Sequence, residues 1–191
     1  MKIKALIIAV LTIFTVNNAS AQKVEIDWQI GYDFTGAISK NYALCQTIYG
    51  GISINEKFNF DIGVGVNGAH SSNPQYGYEL GIPVFAKATY YPILTNRVLP
   101  YASLAIGPNI SKVHTGLYFN TTLGVTWYLS RIMGLNFGIG FYASDFAYNP
   151  TTYNYDHDTG TYIPDKPAGW GESILGVSIN VGIVFGRSKY F

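Results

Sequence analysis

Val24-Glu25-Ile26-Asp27-Trp28-Gln29-Ile30-Gly31-Tyr32-Asp33-Phe34 alternates throughout: every even position is apolar, and every odd one is acidic, an amide or glycine. Successive side chains of a β-strand leave on opposite faces. A period of two over this length therefore predicts a strand with one greasy face and one polar face. The same rhythm runs on through the chain. Residues 42–54 set Tyr42, Leu44, Ile48, Ile52 and Ile54 against mostly small residues, with Gln46 and Tyr49 out of pattern on their respective faces. The short turn Asn55-Glu56-Lys57 then reverses the chain. Phe58, Phe60, Ile62, Val64 and Val66 follow, opposite Asn59, Asp61, Gly63, Gly65 and Asn67, which predicts a hairpin.

Further strands are predicted over residues 78–90, 101–107, 117–129, 135–142 and 175–185, for a total of eight. Pro83 falls inside the fourth and cannot donate to a ladder, so a bulge or a gap in pairing is expected there. The expected fold is all-β, an eight-stranded antiparallel up-and-down transmembrane β-barrel.

Two features favour a membrane barrel over a soluble one. The non-apolar face is mostly Gly, Ser, Thr, Asn and Ala, whereas a soluble barrel would turn Lys, Glu and Arg to water. Small and neutral polar residues suit the crowded lumen of a narrow barrel. The expected connections also alternate in length: short at 55–57, 92–97 and 130–133, longer at 36–41, 68–77, 108–116 and 143–172. Short periplasmic turns and long external loops give that rhythm, with both termini periplasmic. Aromatic residues fall in two bands, matching interfacial girdles. One holds Phe58, Tyr90, Tyr91, Trp127 and Tyr128; the other holds Tyr32, Phe34, Tyr42, Tyr78, Phe119 and Phe141.

The start of the chain fits export. Lys2 and Lys4 precede an apolar run over residues 5–16, and Ala19-Ser20-Ala21 makes a small-x-small site before Gln22. That is the pattern of a cleaved signal peptide over 1–21, leaving one barrel domain over 22–191. This run of twelve residues reaches only about 18 Å as a helix, too short for an anchor. No cysteine follows the cleavage site, which argues against lipoprotein attachment. Charged residues are 12% and aromatics 16% of the chain. That is about half the usual charge of a soluble domain, and after the leader no run is long enough for a spanning helix. Ten basic residues face eleven acidic ones over 22–191, so there is no basic patch for nucleic acid. Cys45 is the only cysteine, which excludes an internal disulfide and a cysteine-based metal site.

The stretch Tyr78-Glu79-Leu80-Gly81-Ile82-Pro83-Val84-Phe85-Ala86-Lys87-Ala88-Thr89-Tyr90-Tyr91-Pro92 resembles the outer-membrane β-barrel domain family common in Bacteroidetes-type bacteria. Pro100-Tyr101, Leu104-Ala105-Ile106-Gly107, residues 120–129 and Gly134-Leu135-Asn136-Phe137-Gly138-Ile139-Gly140 continue the likeness. The resemblance implies an eight-stranded barrel related in shape to the OmpA membrane domain, OmpX and OmpW, and no defined activity. It also implies contact with outer-membrane lipids and lipopolysaccharide, and with the barrel-assembly machinery during biogenesis, as a monomer. The terminal residue Phe191 fits an assembly signal, but Arg187 and Lys189 interrupt the outward phase. A strand ending near Gly186, followed by a short tail, is expected.

Glu25, Asp27, Asp61, Glu79 and Lys87 are the polar residues expected in the lumen. An unpaired charge is costly there, so Lys87 is expected to pair with Glu25 or Asp27 at similar depth. A plug of satisfied ion pairs is the plain role of this group; an ion pathway or a ligand site is the alternative.

His70, His114 and His157 are all expected in external loops. His70-Ser71-Ser72 has the His-x-Ser spacing that resembles the pair of lipid A deacylases, but the expected loop setting argues against it. Asp156-His157-Asp158 reads as a solvated loop, since adjacent residues rarely converge on one point. No phosphate loop, metal spacing or nucleophile elbow is present, so neither an enzyme nor a cofactor is expected. The last loop, 143–172, carries Phe146, Tyr148, Tyr153, Tyr155, Tyr162 and Trp170 among short polar residues. Such composition makes contact surfaces. The leading expectation is an outer-membrane protein with a structural or surface-recognition role. A narrow solute pore comes next, and a lipid A-modifying hydrolase last.

Overall fold

The computed structural model describes residues 24–39, 42–70, 78–94, 97–111, 115–148, 153–156, 161–164 and 170–186. The expected leader over 1–21 and the expected tail after Gly186 lie outside them. The strands are β1 Ile26–Ile38, β2 Tyr42–Ile54, β3 Phe58–His70, β4 Tyr78–Tyr90 and β5 Val98–Ser111. They continue with β6 Thr115–Tyr128, β7 Met133–Tyr148, β8 Tyr153–Asp156, β9 Thr161–Pro164 and β10 Trp170–Gly186. Eight of them close into a barrel in the order β1-β10-β7-β6-β5-β4-β3-β2, and β8 and β9 form a separate two-stranded sheet. All the pairings are antiparallel; the closing seam sets Gln29 opposite Gly186 and Ile38 opposite Val177.

The alternation in sequence becomes alternation in burial. On β1, Ile26, Trp28, Ile30, Tyr32 and Phe34 are exposed on the outside, whereas Gln29, Gly31, Thr35 and Ala37 are buried inside. The contrast is as large as 77% exposure at Ile62 against 1% at Thr35. Among the described residues, outward positions on the barrel strands carry no Lys, Arg or Glu; the one acid is Asp145 near the end of β7. Several of the polar side chains that do face outward are hydrogen-bonded within the protein. Tyr32 Oη donates to Gln46 Oε1 at 3.0 Å, which accounts for the amide out of pattern on β2. Thr121 Oγ1 donates to the Phe141 carbonyl at 3.4 Å. Asp145 accepts from Leu117 N at 3.1 Å and from Ser173 Oγ at 2.6 Å, tying three strands together.

Pro83 produces the gap and no bulge. The β3–β4 register runs to Val64 opposite Val84, skips two pairs, and resumes unshifted at Asn67 opposite Gly81. The turn at 55–57 has Asn55 and Glu56 at φ 51° and 57°, with Lys57 N donating to the Ile54 carbonyl at 3.1 Å. Two successive left-handed residues make a type I′ turn, whose twist matches that of the flanking strands.

Three expectations need correction. The fifth strand is twice as long as expected, running from Val98 to Ser111: the alternation continues beyond 101–107, with Val98, Pro108 and Ile110 exposed and Leu99 and Asn109 buried. The length rhythm is much weaker than expected, since strands continue into segments that read as loops. Only residues 39–41 separate β1 from β2, and 112–114 separate β5 from β6, whereas β7 to β10 is long and contains the β8–β9 hairpin. Tyr91 and Tyr128 do not belong to the outer girdle: they are buried inside with Leu99 and Tyr101. Phe58, Tyr90 and Trp127 do face outward at that end, and the first two rings stack at 4.8 Å.

Candidate functional site

The lumen is filled from both ends. Near the turns that join β2–β3, β4–β5 and β6–β7, an apolar layer of Tyr91, Leu99, Tyr101 and Tyr128 closes the barrel. Towards the other end lies a second layer, including Cys45, Phe85, Tyr118, Tyr142 and Ile174. Glycines make this packing possible: a Cβ at Gly31 would overlap the Tyr49 ring, and one at Gly63 would overlap Phe85.

The polar groups lie between these layers. Lys87 Nζ sits 2.6 Å from Asp33 Oδ2 and 3.6 Å from the centre of the Tyr49 ring. Tyr49 Oη donates to Asp33 Oδ1 at 3.2 Å, so the same carboxylate receives both. A chain of contacts continues from Tyr49 through Asn136 to Thr126 and Tyr91. Beside it, Gln29 Nε2 donates to Asp61 Oδ2 at 3.2 Å, and Asn59 donates to Gln29. A separate amide–hydroxyl group joins Thr35, Asn120, Ser178 and Asn180. The cavity beside Lys87, lined by Asp33, Thr47, Phe85, Tyr101 and Asn180 among others, is about 10 Å³. A second of about 10 Å³ lies near Gln29 and Tyr91. Each is the size of one water molecule, so neither admits a substrate.

The expected lumen cluster is therefore only partly assembled. Asp61 and Lys87 lie directly opposite each other in the β3–β4 register, and both face inward. Asp27 is half-buried at the rim, opposite Ser53. Glu25 is exposed ahead of β1, its backbone paired with Asn55. Glu79 stands opposite Ala69, eight residues from Lys87 along β4, about 26 Å away along the strand. The partner of Lys87 is Asp33, not Glu25 or Asp27. Counting from the strand ends treats strands as upright. Strands of a closed barrel tilt by about 35–45°, so residues level across the lumen differ in their count from the rim. Asp33 was visible as the one charge in the middle of the inner face of β1. Tyr49 was visible as a bulky residue on a face of small ones.

His70 is also corrected: it is the last residue of β3, in the outward phase, with its ring 5.0 Å from that of Tyr42. His114 and His157 lie outside the described residues. Of the aromatic residues expected in the last loop, Tyr148 and Trp170 end and begin strands and stand opposite each other in register. Tyr153 and Tyr155 belong to β8 and Tyr162 to β9, with Tyr155 opposite Tyr162 and Tyr153 opposite Pro164. Phe146 stands opposite Glu172 on the extended β7–β10 pair.

On the outside of the barrel, an apolar depression of about 490 Å³ beside Gly50 is walled by Ile30, Ile48, Ile62, Val64 and Val84.

No protein-family model matches the chain, and no curated protein is recognisably similar to it.

Proposed function

We propose that this protein is a small integral outer-membrane barrel, closed to solute flow, whose far end serves surface recognition. The observation that carries the membrane reading is the outward face. It is an apolar surface around the barrel, on which Tyr32 is hydrogen-bonded to Gln46 and Thr121 to the Phe141 carbonyl. Water-exposed protein surfaces keep contiguous apolar patches to about 300–600 Å². Hydrocarbon tolerates this face and penalises unsatisfied polar groups. Each barrel strand has at least 13 residues, more than the 9–11 or so needed to cross a bilayer.

The leader expected over 1–21 and the resemblance of the sequence to the outer-membrane β-barrel domain family fit the same reading, in which the short-turn end faces the periplasm. Lipids of that membrane are the standing partners, and the assembly machinery is a transient one. The recognition role rests on the β8–β9 hairpin, which lies between β7 and β10 in the chain and contains Tyr153, Tyr155 and Tyr162. A solute pore is disfavoured by the two apolar layers and by cavities of one water each.

Membrane fractionation with a heat-modifiable gel shift tests the location. The unboiled protein is expected in the outer-membrane fraction at a mobility different from that of the boiled form. Recovery in the soluble periplasm would end the proposal. In planar bilayers no single-channel steps are expected; reproducible steps would restore the pore.

A further inference from the structure

Among the described residues, β4 is the one barrel strand whose pairing breaks on both sides. Its ladder to β3 is interrupted between Val64–Val84 and Asn67–Gly81, and its ladder to β5 between Pro83–Asn109 and Ala86–Ile106. The other barrel ladders run without a gap over their described residues. The register places Gly65 opposite Pro83 and Val84 opposite Pro108. An antiparallel hydrogen-bonded pair exchanges two N–H···O bonds, and a proline, having no N–H, can complete only one of them. The Gly65 and Val84 carbonyls therefore lose their ladder donors, whereas the Gly65 and Val84 N–H groups keep the proline carbonyls as acceptors. Two half-made pairs thus sit at the middle of β4, one on each side of the strand.

The same place separates two spaces. Val84 walls the outer apolar depression with Ile62 and Val64, and Gly63 borders it. Phe85, the next residue, turns inward, lines the cavity beside Lys87, and has its ring 5.3 Å from that of Tyr118. A Cβ on Gly63 would come within 2.4 Å of the Phe85 ring, so that ring rests on bare backbone. The depression and the cavity therefore face each other across Val84, Phe85 and Gly63. We propose that Pro83–Phe85 is a hinge in the side of the barrel, where β4 parts locally from its neighbours and joins the two spaces. Local opening begins where few backbone bonds must break. Hydrocarbon offers no donor to replace the missing ones, so the defect is not repaired from outside. The apolar layers at both ends of the lumen leave the side wall as its weakest boundary. The hinge is a property of the ladders and stands apart from the recognition role.

Residue-resolved amide hydrogen exchange, on the full barrel refolded in detergent micelles, tests the hinge. A static gap would leave the rates ordinary, because the Gly65 and Val84 N–H groups keep their acceptors. Opening frees them. They are expected to exchange at least about tenfold faster than the amides of residues 137–141 on the unbroken β7–β10 ladder, tenfold being the weight of roughly one net hydrogen bond. P108A returns a donor to the Val84 carbonyl at an outward, exposed position and disturbs no lumen packing. P83A/P108A returns both donors. The excess rate is expected to fall in P108A and to vanish in P83A/P108A. Native rates that match those of β7–β10 overturn the proposal, and so do fast rates that neither variant slows. If P83A/P108A fails to refold, the native comparison and P108A decide the matter alone.

Discussion

At the scale of the residue, Lys87 is the best-defined polar group of the lumen. Its ammonium is held between the Asp33 carboxylate and the face of Tyr49, and both charged side chains are largely buried. Removing one partner of a buried pair leaves an uncompensated charge, a loss of about 3–5 kcal/mol. Lys87→Met is expected to lower the urea-unfolding free energy of the vesicle-inserted protein by that order. The double change Lys87→Met with Asp33→Asn should recover much of the loss, because it removes both charges together. A single variant as stable as the parent would show that the pair contributes nothing. The need for a partner for Lys87 was legible in the sequence, since a low-dielectric lumen leaves it no alternative. Which acid supplies the partner was not, because that depends on strand tilt.

At the scale of the element, the β2–β3 hairpin shows how a turn fixes register. Asn55 takes the left-handed conformation, donates its N–H to the Glu25 carbonyl at 2.9 Å and accepts from Glu25 N at 2.9 Å. Asparagine tolerates positive φ better than a branched or apolar residue does. Asn55→Ala is expected to cost about 1–2 kcal/mol, from backbone strain and the lost side-chain acceptor. Equilibrium unfolding measures it, and an unchanged midpoint would assign the turn no role in stability. The strand centres were readable throughout, because a face that must be apolar at every second residue leaves a clear trace. The ends were not. Residues 108–111 and 143–148 are strand by pairing with their neighbours, although their composition reads as loop.

At the scale of the whole molecule, the outward apolar surface separates a membrane barrel from a soluble one by a single charge. Ile139 lies on the outer face of β7 and is 66% exposed. In a bilayer, Ile139→Arg is expected to cost about 2–4 kcal/mol if it lies near the midplane. In water the same exposed substitution would change stability by no more than about 0.5 kcal/mol. Unfolding titrations of the two proteins decide between these outcomes, and a neutral result would contradict insertion. The sequence alone determined the strand count, the two faces and the filled character of the interior, since period-two hydropathy and side-chain size are local properties. Tertiary structure decided the Lys87–Asp33 pair, the inward turn of Tyr91 and Tyr128, and the gathering of three tyrosines on the β8–β9 hairpin. The physical reason is closure: tilt and register bring together residues from distant strands, and no local pattern records the angle at which a sheet closes on itself.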